Sequence, residues 1–288
     1  MKWWTIGLIG LNWGASVAAQ EEGFLYRIYE TRTGKEINVH TLIDSLMHYD
    51  IIFFGEEHDN PICHWLQLQV VRGIYRRDSA VDVGMEMFEA DVQPVIDEYM
   101  DGLFGEFYFE KEIKRWKNYT RAYKPIVQWI YDTEHTRLIA TNVPRRYAGA
   151  VAKHGIRILD SLPSWAYAYL APLPISYDTT QPCYAEMLNG DMGHAMGIEI
   201  VEAQVLKDAT MAYFIAKNKI PDRRFVHLNG DFHSRKHCGI PHYLQAHLPQ
   251  ARIAVISTVT SESSTFLPEY AAYGDYILLI NEEFYPSD

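Results

Sequence analysis

Length, composition and charge already limit what this chain can be. Its 288 residues, 48% of them hydrophobic, are enough to bury one large core, or a core and a smaller subdomain. The 26 basic and 37 acidic side chains give a formal net charge of −11, and no cluster of Lys and Arg is dense enough to follow a phosphate backbone. We therefore expect no nucleic-acid partner.

The N-terminal residues predict an export signal. Lys2 supplies a positive charge, residues 3–13 form an apolar stretch, and residues 17–19 (Val-Ala-Ala) resemble a cleavage site. We expect a signal peptide over residues 1–19 and an exported protein, periplasmic or secreted; an uncleaved membrane anchor is the alternative. No later segment approaches the roughly 20 apolar residues that a transmembrane helix needs. No lipoprotein cysteine stands at the cleavage site.

Strands and helices alternate along most of the chain, after a hairpin predicted at residues 33–35. This alternation predicts an α/β fold, in which a mostly parallel sheet is covered by flanking helices. The predicted strands are 50–54, 80–87, 137–140, 224–228, 252–257 and 276–280, and the predicted helices between them are 61–76, 92–100 and 239–247.

Two stretches interrupt this alternation. Residues 101–131 are rich in aromatic and charged side chains. Residues 159–219 contain a proline-rich loop, a glycine-punctuated loop at 189–197 and an amphipathic helix at 198–216. We interpret both stretches as insertions that form a smaller helical cap subdomain over the carboxyl edge of the sheet. The cap then belongs to a single domain that spans residues 24–288.

Two similar motifs directly follow predicted strands. Residues 55–58 (Gly-Glu-Glu-His) come after the apolar run 51–54, and residues 230–233 (Gly-Asp-Phe-His) come after the run 225–228. In open α/β sheets, ligands bind outside the carboxyl ends of the strands. The motifs therefore predict a site at this edge of the sheet.

Other strand ends add polar side chains to the same predicted site. Glu86 ends an apolar stretch, and because a buried carboxylate is costly unless it is paired, we expect Arg145 or a His as its partner. With Glu56, His58 and His233, these residues are candidate catalytic groups. His58, Glu86 and His233 suit a divalent transition metal. They equally suit a metal-free site in which a carboxylate raises the pKa of a general-base His.

The predicted cap carries a second group of candidate ligands. His194 and Met196 lie in the loop 189–197 and are borderline or soft ligands for iron, copper or haem iron. On the helix that follows, Gln204 and Asp208 share one face, with Tyr213 to one side. The alternative is a loop followed by an ordinary amphipathic helix.

The three cysteines give a weaker signal. Cys63, Cys183 and Cys238 are an odd number, so at least one thiol stays unpaired even if export allows a disulfide. Cys238 follows His233 closely and could approach the same site. We interpret it as a small buried side chain.

Four stretches of the chain resemble one known family. They are residues 54–58 (Phe-Gly-Glu-Glu-His), 84–89 (Gly-Met-Glu-Met-Phe-Glu), 203–212 (Ala-Gln-Val-Leu-Lys-Asp-Ala-Thr-Met-Ala) and 229–233 (Asn-Gly-Asp-Phe-His). In these stretches the chain resembles the ChaN-like haem-binding uptake family. That family is similar to a wider group of Tiki-type proteases, TraB-like proteins and erythromycin esterases, whose paired Gly-x-x-His turns and Glu line a hydrolytic site.

The resemblance implies an exported α/β protein with a helical subdomain and a role in haem or iron uptake. It also implies haem bound at the interface of a homodimer, with a tyrosine as iron ligand. Tyr177, Tyr184 and Tyr213 in the predicted cap are the candidates for that tyrosine. The lipoprotein cysteine typical of the family is missing, and Lys207 stands where many relatives have an aromatic side chain.

The leading hypothesis is an exported haem-binding protein of a haem or iron uptake pathway. Its ligand would lie between the strand-end crevice and the cap. The cofactor-binding candidates are His194, Met196, Tyr177, Tyr184, Gln204, Asp208 and Tyr213.

The rival hypothesis is a hydrolase, either a peptidase or an esterase. Glu56 or Glu86 would act as general base or metal ligand, and Arg145 would stabilise the oxyanion. His58 and His233 would serve as metal ligands or proton shuttles. The required cofactor would then be a divalent metal, or none.

Overall fold

The computed structural model describes residues 24–284, so the predicted signal peptide at residues 1–19 lies outside the described part of the chain. Within this part the backbone forms one eight-stranded sheet. The strands are β1 (Tyr26–Glu30), β2 (Lys35–Ile37), β3 (Ile51–Glu56), β4 (Val81–Glu89), β5 (Thr136–Asn142), β6 (Arg224–Gly230), β7 (Ile253–Ser261) and β8 (Tyr276–Asn281).

The strands lie in the order β2-β1-β8-β7-β3-β6-β4-β5. From β8 to β5 all neighbouring pairs are parallel, and the hairpin of β1 and β2 adds an antiparallel edge next to β8. Parallel strands require crossover connections, which helices supply. Such connections allow strands distant in sequence to become neighbours. β3 lies beside β6, although more than half of the chain separates them.

Helices cover both faces of this sheet. Those before β5 are α1 (Val39–Leu46), α2 (Pro61–Asp78), α3 (Gln93–Met100), α4 (Glu106–Glu112), α5 (Tyr119–Ala122) and α6 (Lys124–Tyr131). Those after β5 are α7 (Arg145–His154), α8 (Pro182–Asn189), α9 (Asp191–Met196), α10 (Ile198–Asn218) and α11 (Ile240–His247).

Strand β3 shows how both faces are buried. All of its residues are buried, and successive side chains point to opposite faces. Ile52 and Phe54 pack in the core that contains α2, whereas Ile51 and Phe53 pack with Met211 and other residues of α10. An uninterrupted apolar run is what a strand covered on both sides requires.

The predicted fold class is confirmed, because the structure is an α/β fold with a mostly parallel sheet. The predicted strands and helices are all present, with ends that differ by a few residues, and the predicted hairpin joins β1 to β2. One prediction is wrong: the loop at 189–197 is helical over α9. Asp191 favours the start of that helix through its charge, Met and Ala are good helix formers, and Gly197 with φ of 72° ends it.

The two interrupting stretches are largely helical, as expected for the predicted cap. The C-terminal half of α10, however, packs on the sheet against Ile51 and Phe225, so this helix also serves as a covering layer. The division into a domain and a cap subdomain stays a prediction. Among residues 24–284, the structure contains no helix long and apolar enough to cross a membrane.

Candidate functional site

The two Gly-x-x-His motifs meet at the carboxyl edge of the sheet. In the parallel register of β3 and β6, Glu56 lies opposite Gly230. A Cβ atom at Gly230 would lie 2.8 Å from Cε1 of His58, so only glycine lets His58 approach this strand end. The convergence predicted from the two motifs is therefore what the sheet topology produces.

His233 is held between two carboxylates at this edge. Its Nε2 lies 3.2 Å from Oε1 of Glu86, and its Nδ1 lies 2.5 Å from Oδ1 of Asp208. Tyr184 donates a hydrogen bond of 2.9 Å to the other oxygen of Asp208, and the backbone N–H of Gly230 donates one of 2.7 Å to Glu86. All four side chains of this group are buried.

The charges in this group follow from their neighbours. Burial opposes a positive charge on His233, but Glu86 and Asp208 outweigh that cost and raise the pKa of His233 to about 9. Burial likewise opposes the charge of Glu86, yet His233 holds the pKa of that carboxyl well below its usual range. At neutral pH the imidazole of His233 is therefore protonated and can donate hydrogen bonds to Glu86 and to Asp208, whose own pKa is raised by burial.

His58 forms a second imidazole–carboxylate pair, closer to solvent. Its Nδ1 lies 2.9 Å from Oε1 of Glu56, which also accepts hydrogen bonds from Tyr123, at 2.6 Å, and from Gln67. The side chain of His58 is 40% exposed, whereas that of Glu56 is fully buried. Within residues 24–284, Nε2 of His58 has no hydrogen-bond partner, so one ring nitrogen is anchored and the other is free.

Burial also affects the charge of His58. It disfavours the charged imidazole, but the hydrogen bond that His58 donates to Glu56 and the nearby Glu86 carboxylate together raise the pKa of His58 above its ordinary value. The proximity of His233 acts in the opposite direction. Both histidines of the paired motifs are therefore stabilised as cations by buried carboxylates.

An open cleft runs along these residues and has two large parts. The first has a volume of about 650 Å³, and we call it the cationic compartment because of Arg115, Lys117, Arg145 and Lys207 in its wall. The second, the cap compartment, has a volume of about 880 Å³ and lies against α8 and α9. His58 and His233 line both parts, so the candidate site is one continuous cleft.

Arg145 lines the cationic compartment but does not pair with Glu86. Its guanidinium contacts Glu89 instead and donates to the backbone carbonyl of Lys114 at 2.9 Å. Lys114 lies 3.0 Å from the same Glu89 carboxylate. Two partners were predicted for Glu86, a histidine or Arg145. In the structure the partner is His233, whereas Arg145 contacts Glu89.

Three of the predicted cap ligands join the strand-end group. Tyr184 and Asp208 hold His233 as described, and the amide of Gln204 lies 2.9 Å from Nδ1 of the same imidazole. Burial and the neighbouring Asp208 raise the pKa of the Tyr184 phenol far above its usual range, so this phenol keeps its proton. The cap and strand-end candidates are thus parts of one site.

The remaining cap candidates lie elsewhere. Tyr177 donates a hydrogen bond of 2.5 Å to Glu202, and burial together with that carboxylate raises the pKa of its phenol to about 12. Tyr213 packs against Phe214 and His247 near the far end of α10. His194 and Met196 are exposed on α9, with Met196 44% exposed.

Several residues that shape the site carry no signal in the sequence. Tyr123 and Gln67 anchor Glu56, and Trp116 packs edge-on against His58 with ring centroids 4.9 Å apart. Their spacing gave no signal, since Gln67 is an ordinary member of α2, whereas Trp116 and Tyr123 lie between helices of the aromatic stretch 101–131. The sequence left the pairing of the cysteines open; in the structure Cys183 and Cys238 form a disulfide, and Cys238 is buried as expected.

The structure gives no support to the predicted divalent-metal site. Among residues 24–284, no group of three or more His, Cys, Asp or Glu side chains is arranged to hold a metal ion. Both ring nitrogens of His233 already face carboxylates, which leaves that imidazole no lone pair to offer.

Comparisons with known proteins identify a family and a fold. The model of a family described as "Haem-binding uptake, Tiki superfamily, ChaN" matches residues 42–244. No curated protein sequence matches the chain. Among solved structures, the fold is similar to that of a ChaN from Campylobacter jejuni described as showing cofacial haem binding. That match has 19% identity and a TM-score of 0.68, and it covers 88% of this chain and 96% of the other.

Two more distant structures have TM-scores below 0.5. The type III effector HopBA1 is 11% identical with a TM-score of 0.49, covering 84% of this chain and 92% of its own. A mutant of the erythromycin esterase EreC is 14% identical with a TM-score of 0.45, covering 82% and 77%. Because the family model spans most of the chain, this protein belongs to the haem-binding uptake family of the Tiki superfamily that includes ChaN.

Proposed function

We propose that this protein binds haem in the cleft at the carboxyl edge of its sheet, as an exported component of a haem uptake pathway. The observation that carries the proposal is the state of His58. The Nδ1 atom of His58 is anchored on Glu56, and its Nε2 atom has no partner among residues 24–284. The side chain of His58 lines the cleft. Histidines that bind metals commonly donate their second ring N–H to a carboxylate, which fixes the ring and raises its basicity.

The wall of the cationic compartment fits the anionic edge of haem. Glu110 pairs with Arg115, and Glu89 contacts Arg145, so these two guanidinium groups are already partly neutralised. Lys117 and Lys207 form no ion pair within residues 24–284, which leaves them for the two propionates. A volume of about 650 Å³ is within the usual range for a small-molecule pocket.

Apolar side chains in the same compartment supply contacts for a flat ring. Trp116 stands edge-on to His58, and Val143 and Ala148 also line the wall. Aromatic and aliphatic surfaces next to a few charged groups are typical of cofactor sites. The ligand chemistry that this combination recognises is an amphipathic planar metal complex.

The tyrosine candidates and the homodimer stay part of the proposal. Tyr184 donates to Asp208 and Tyr177 to Glu202, so either phenol would have to leave a carboxylate before it could ligate iron. His194 and Met196 are exposed and could reach a haem carried by a second copy of the chain. Size-exclusion chromatography with and without hemin tests the homodimer directly.

Titration with hemin tests the proposal. The mature chain should give a saturable Soret shift, and His58→Ala should lower hemin affinity at least about tenfold while its circular dichroism stays unchanged. Tyr213→Phe is the matched control, because this side chain lies at the far end of α10 and should leave binding intact. A wild-type spectrum identical to that of free hemin contradicts the proposal.

The group around His233 supports a second candidate function, hydrolysis. An imidazolium fixed between Glu86 and Asp208, close to a partly exposed His58, resembles a general acid next to a general base. His58, in its neutral form, would take a proton from the attacking water, and His233 would donate one to the leaving group. Hydrolysis of p-nitrophenyl acetate and of labelled casein should then be lost in His233→Ala, while hemin binding persists. Absence of turnover in the wild-type protein argues against this function.

A further inference from the structure

Asn142 carries an unpaired hydrogen-bond acceptor at the end of β5. The residue is 9% exposed, and its Oδ1 has no hydrogen-bond partner among residues 24–284. Its Nδ2 donates a hydrogen bond of 3.0 Å to the backbone carbonyl of Glu86, in the stretch where the register between β4 and β5 shifts. That bond fixes the orientation of the amide, because a carbonyl can accept only from Nδ2. A buried acceptor without a donor is costly, which indicates a donor that comes from outside the chain.

Asn142 lines the cationic compartment, so a ligand bound there can supply the missing donor. The same wall carries Lys117 and Lys207, and neither forms an ion pair within the described part of the chain. Lys117 is exposed, whereas Lys207 is partly buried on α10. Two unpaired ammonium groups beside an unpaired acceptor suit a ligand that has both a negative charge and an O–H or N–H group.

The first turn of α7 adds hydrogen-bond donors to this wall. The helix begins three residues after Asn142, and both Arg145 and Ala148 of its first turn line the compartment. Among residues 24–284, no side chain caps this N-terminus. The amide N–H groups at a helix N-terminus carry a partial positive charge and bind anions, phosphate in particular.

Carboxylates in the same wall limit the charge that the ligand can carry. Glu86 faces His233, and Glu89 contacts Lys114, so these two carboxylates are compensated. Asp59 also lines the compartment and has no cationic partner among the described residues. The two unpaired lysines thus outnumber one unpaired carboxylate. The wall therefore favours an anion of low charge, such as one that keeps a proton.

We propose that this part of the cationic compartment binds a phosphate group that carries a proton, either as inorganic phosphate or at the end of a phosphate ester. The phosphate oxygens accept from Lys117, Lys207 and the N-terminus of α7, and the P–O–H group donates to Oδ1 of Asn142. Sulfate has the same tetrahedral shape but no proton to donate, so it leaves this acceptor unpaired. A site that is built to hydrogen-bond a ligand O–H rejects the analogue that lacks it.

Three anions at pH 6 test this site. At this pH inorganic phosphate is protonated, a phosphate ester such as glycerol 3-phosphate is about half protonated, and sulfate carries no proton. Isothermal titration calorimetry should show that at least one of the two phosphate ligands binds about tenfold more tightly than sulfate. The tighter of the two shows whether the site takes the free ion or an ester. The proposal does not rest on haem binding, and because hemin would use the same two lysines, the titrations contain none.

Variants at Asn142 separate the acceptor from the charges. Asn142→Leu should lower the phosphate affinity to that of sulfate. Asn142→Asp keeps an acceptor, so it should weaken both anions but preserve the preference for phosphate. Lys207→Gln should weaken both anions by the same factor, about tenfold. Lys153→Gln, at the exposed far end of α7, is the matched control and should change neither affinity.

Two results with the wild-type protein overturn the proposal: equal affinities for phosphate and sulfate, or failure to bind any of the three anions. A preference for phosphate that survives in Asn142→Leu overturns it as well, because the acceptor would then have no part in recognition. Circular dichroism shows whether each variant keeps its fold. If Asn142→Leu does not fold, the wild-type comparison and Lys207→Gln decide the matter. Hemin titration stays a separate test, so either proposal can fail without the other.

Discussion

Nε2 of His233 lies 3.2 Å from Oε1 of Glu86, and both side chains are buried. A carboxylate placed inside an apolar strand is stabilised in this way by a cation from the short helical turn that follows another strand. Breaking a buried pair leaves one charge uncompensated, which costs more than the pair contributes when intact.

Replacement of Glu86 should therefore destabilise the protein strongly. We expect Glu86→Gln to lower the free energy of unfolding by about 3 kcal/mol, because His233 loses one of its two carboxylates. The pKa of His233, followed by NMR, should fall at the same time. Asp44→Asn is the matched control, since its ion pair with Arg77 is at the surface and should contribute at most about 1 kcal/mol. Equal losses of unfolding free energy in the two variants would show that the buried pair stabilises the protein no more than the surface pair does.

The charge on His233 predicts a pH dependence of stability. Its pKa rises from 6.5 to about 9 on folding, so its contribution is fully present below pH 6.5 and is lost as the pH rises through 9. Urea unfolding should give a free energy that declines between pH 6.5 and 9. In His233→Gln this decline should disappear. A wild-type curve that is flat over the same interval contradicts the assignment of this charge.

His227 predicts an effect with the opposite sign at lower pH. Burial lowers the pKa of this imidazole to about 4, against 6.5 for a free His. Its contribution is therefore present above pH 6.5 and is lost as the pH falls toward 4. NMR should show a His227 ring that is still neutral at pH 5.5. A His227 ring that titrates near 6.5 would contradict the prediction.

The disulfide between Cys183 and Cys238 should stabilise the fold. It joins positions 55 residues apart, and closing a loop of this size stabilises a protein by about 4 kcal/mol in the chain-entropy estimate. The double variant Cys183→Ser/Cys238→Ser should lose most of that amount. Reductant should destabilise the wild-type protein to a similar degree and leave the double variant unchanged, since the remaining Cys63 is unpaired. Sensitivity of the double variant to reductant would exclude this explanation.

Gly230 should be required for the position of His58. In Gly230→Ala the new Cβ would lie 2.8 Å from Cε1 and 2.9 Å from Nε2 of His58, so the imidazole must move away from the strand end. We expect hemin affinity to fall about as much as in His58→Ala. Gly149→Ala in α7 is the matched control, because its Cβ would meet no atom within 4 Å. It should be neutral or slightly stabilising. Unchanged hemin binding in Gly230→Ala would show that the position of His58 does not matter for haem binding.

The sequence by itself determined the local elements and where to look for the site. The apolar runs of β3 and β6 predicted strands buried on both faces, and the Gly-x-x-His motifs after them marked the carboxyl edge. Glu86 was recognisable as a candidate site residue because an ionisable group stood in an otherwise apolar stretch. These signals depend on the period of side chains along a strand, which is a local property.

Only the tertiary structure decided which residues meet. The order of strands placed β6 between β3 and β4, which gave Glu86 a histidine as its partner and left Arg145 with Glu89. The crossing of α10 brought Asp208 to the same imidazole but kept Tyr213 at the other end of the helix. Local periodicity does not encode strand order or the relative placement of helices, because these depend on contacts between segments that are distant in sequence.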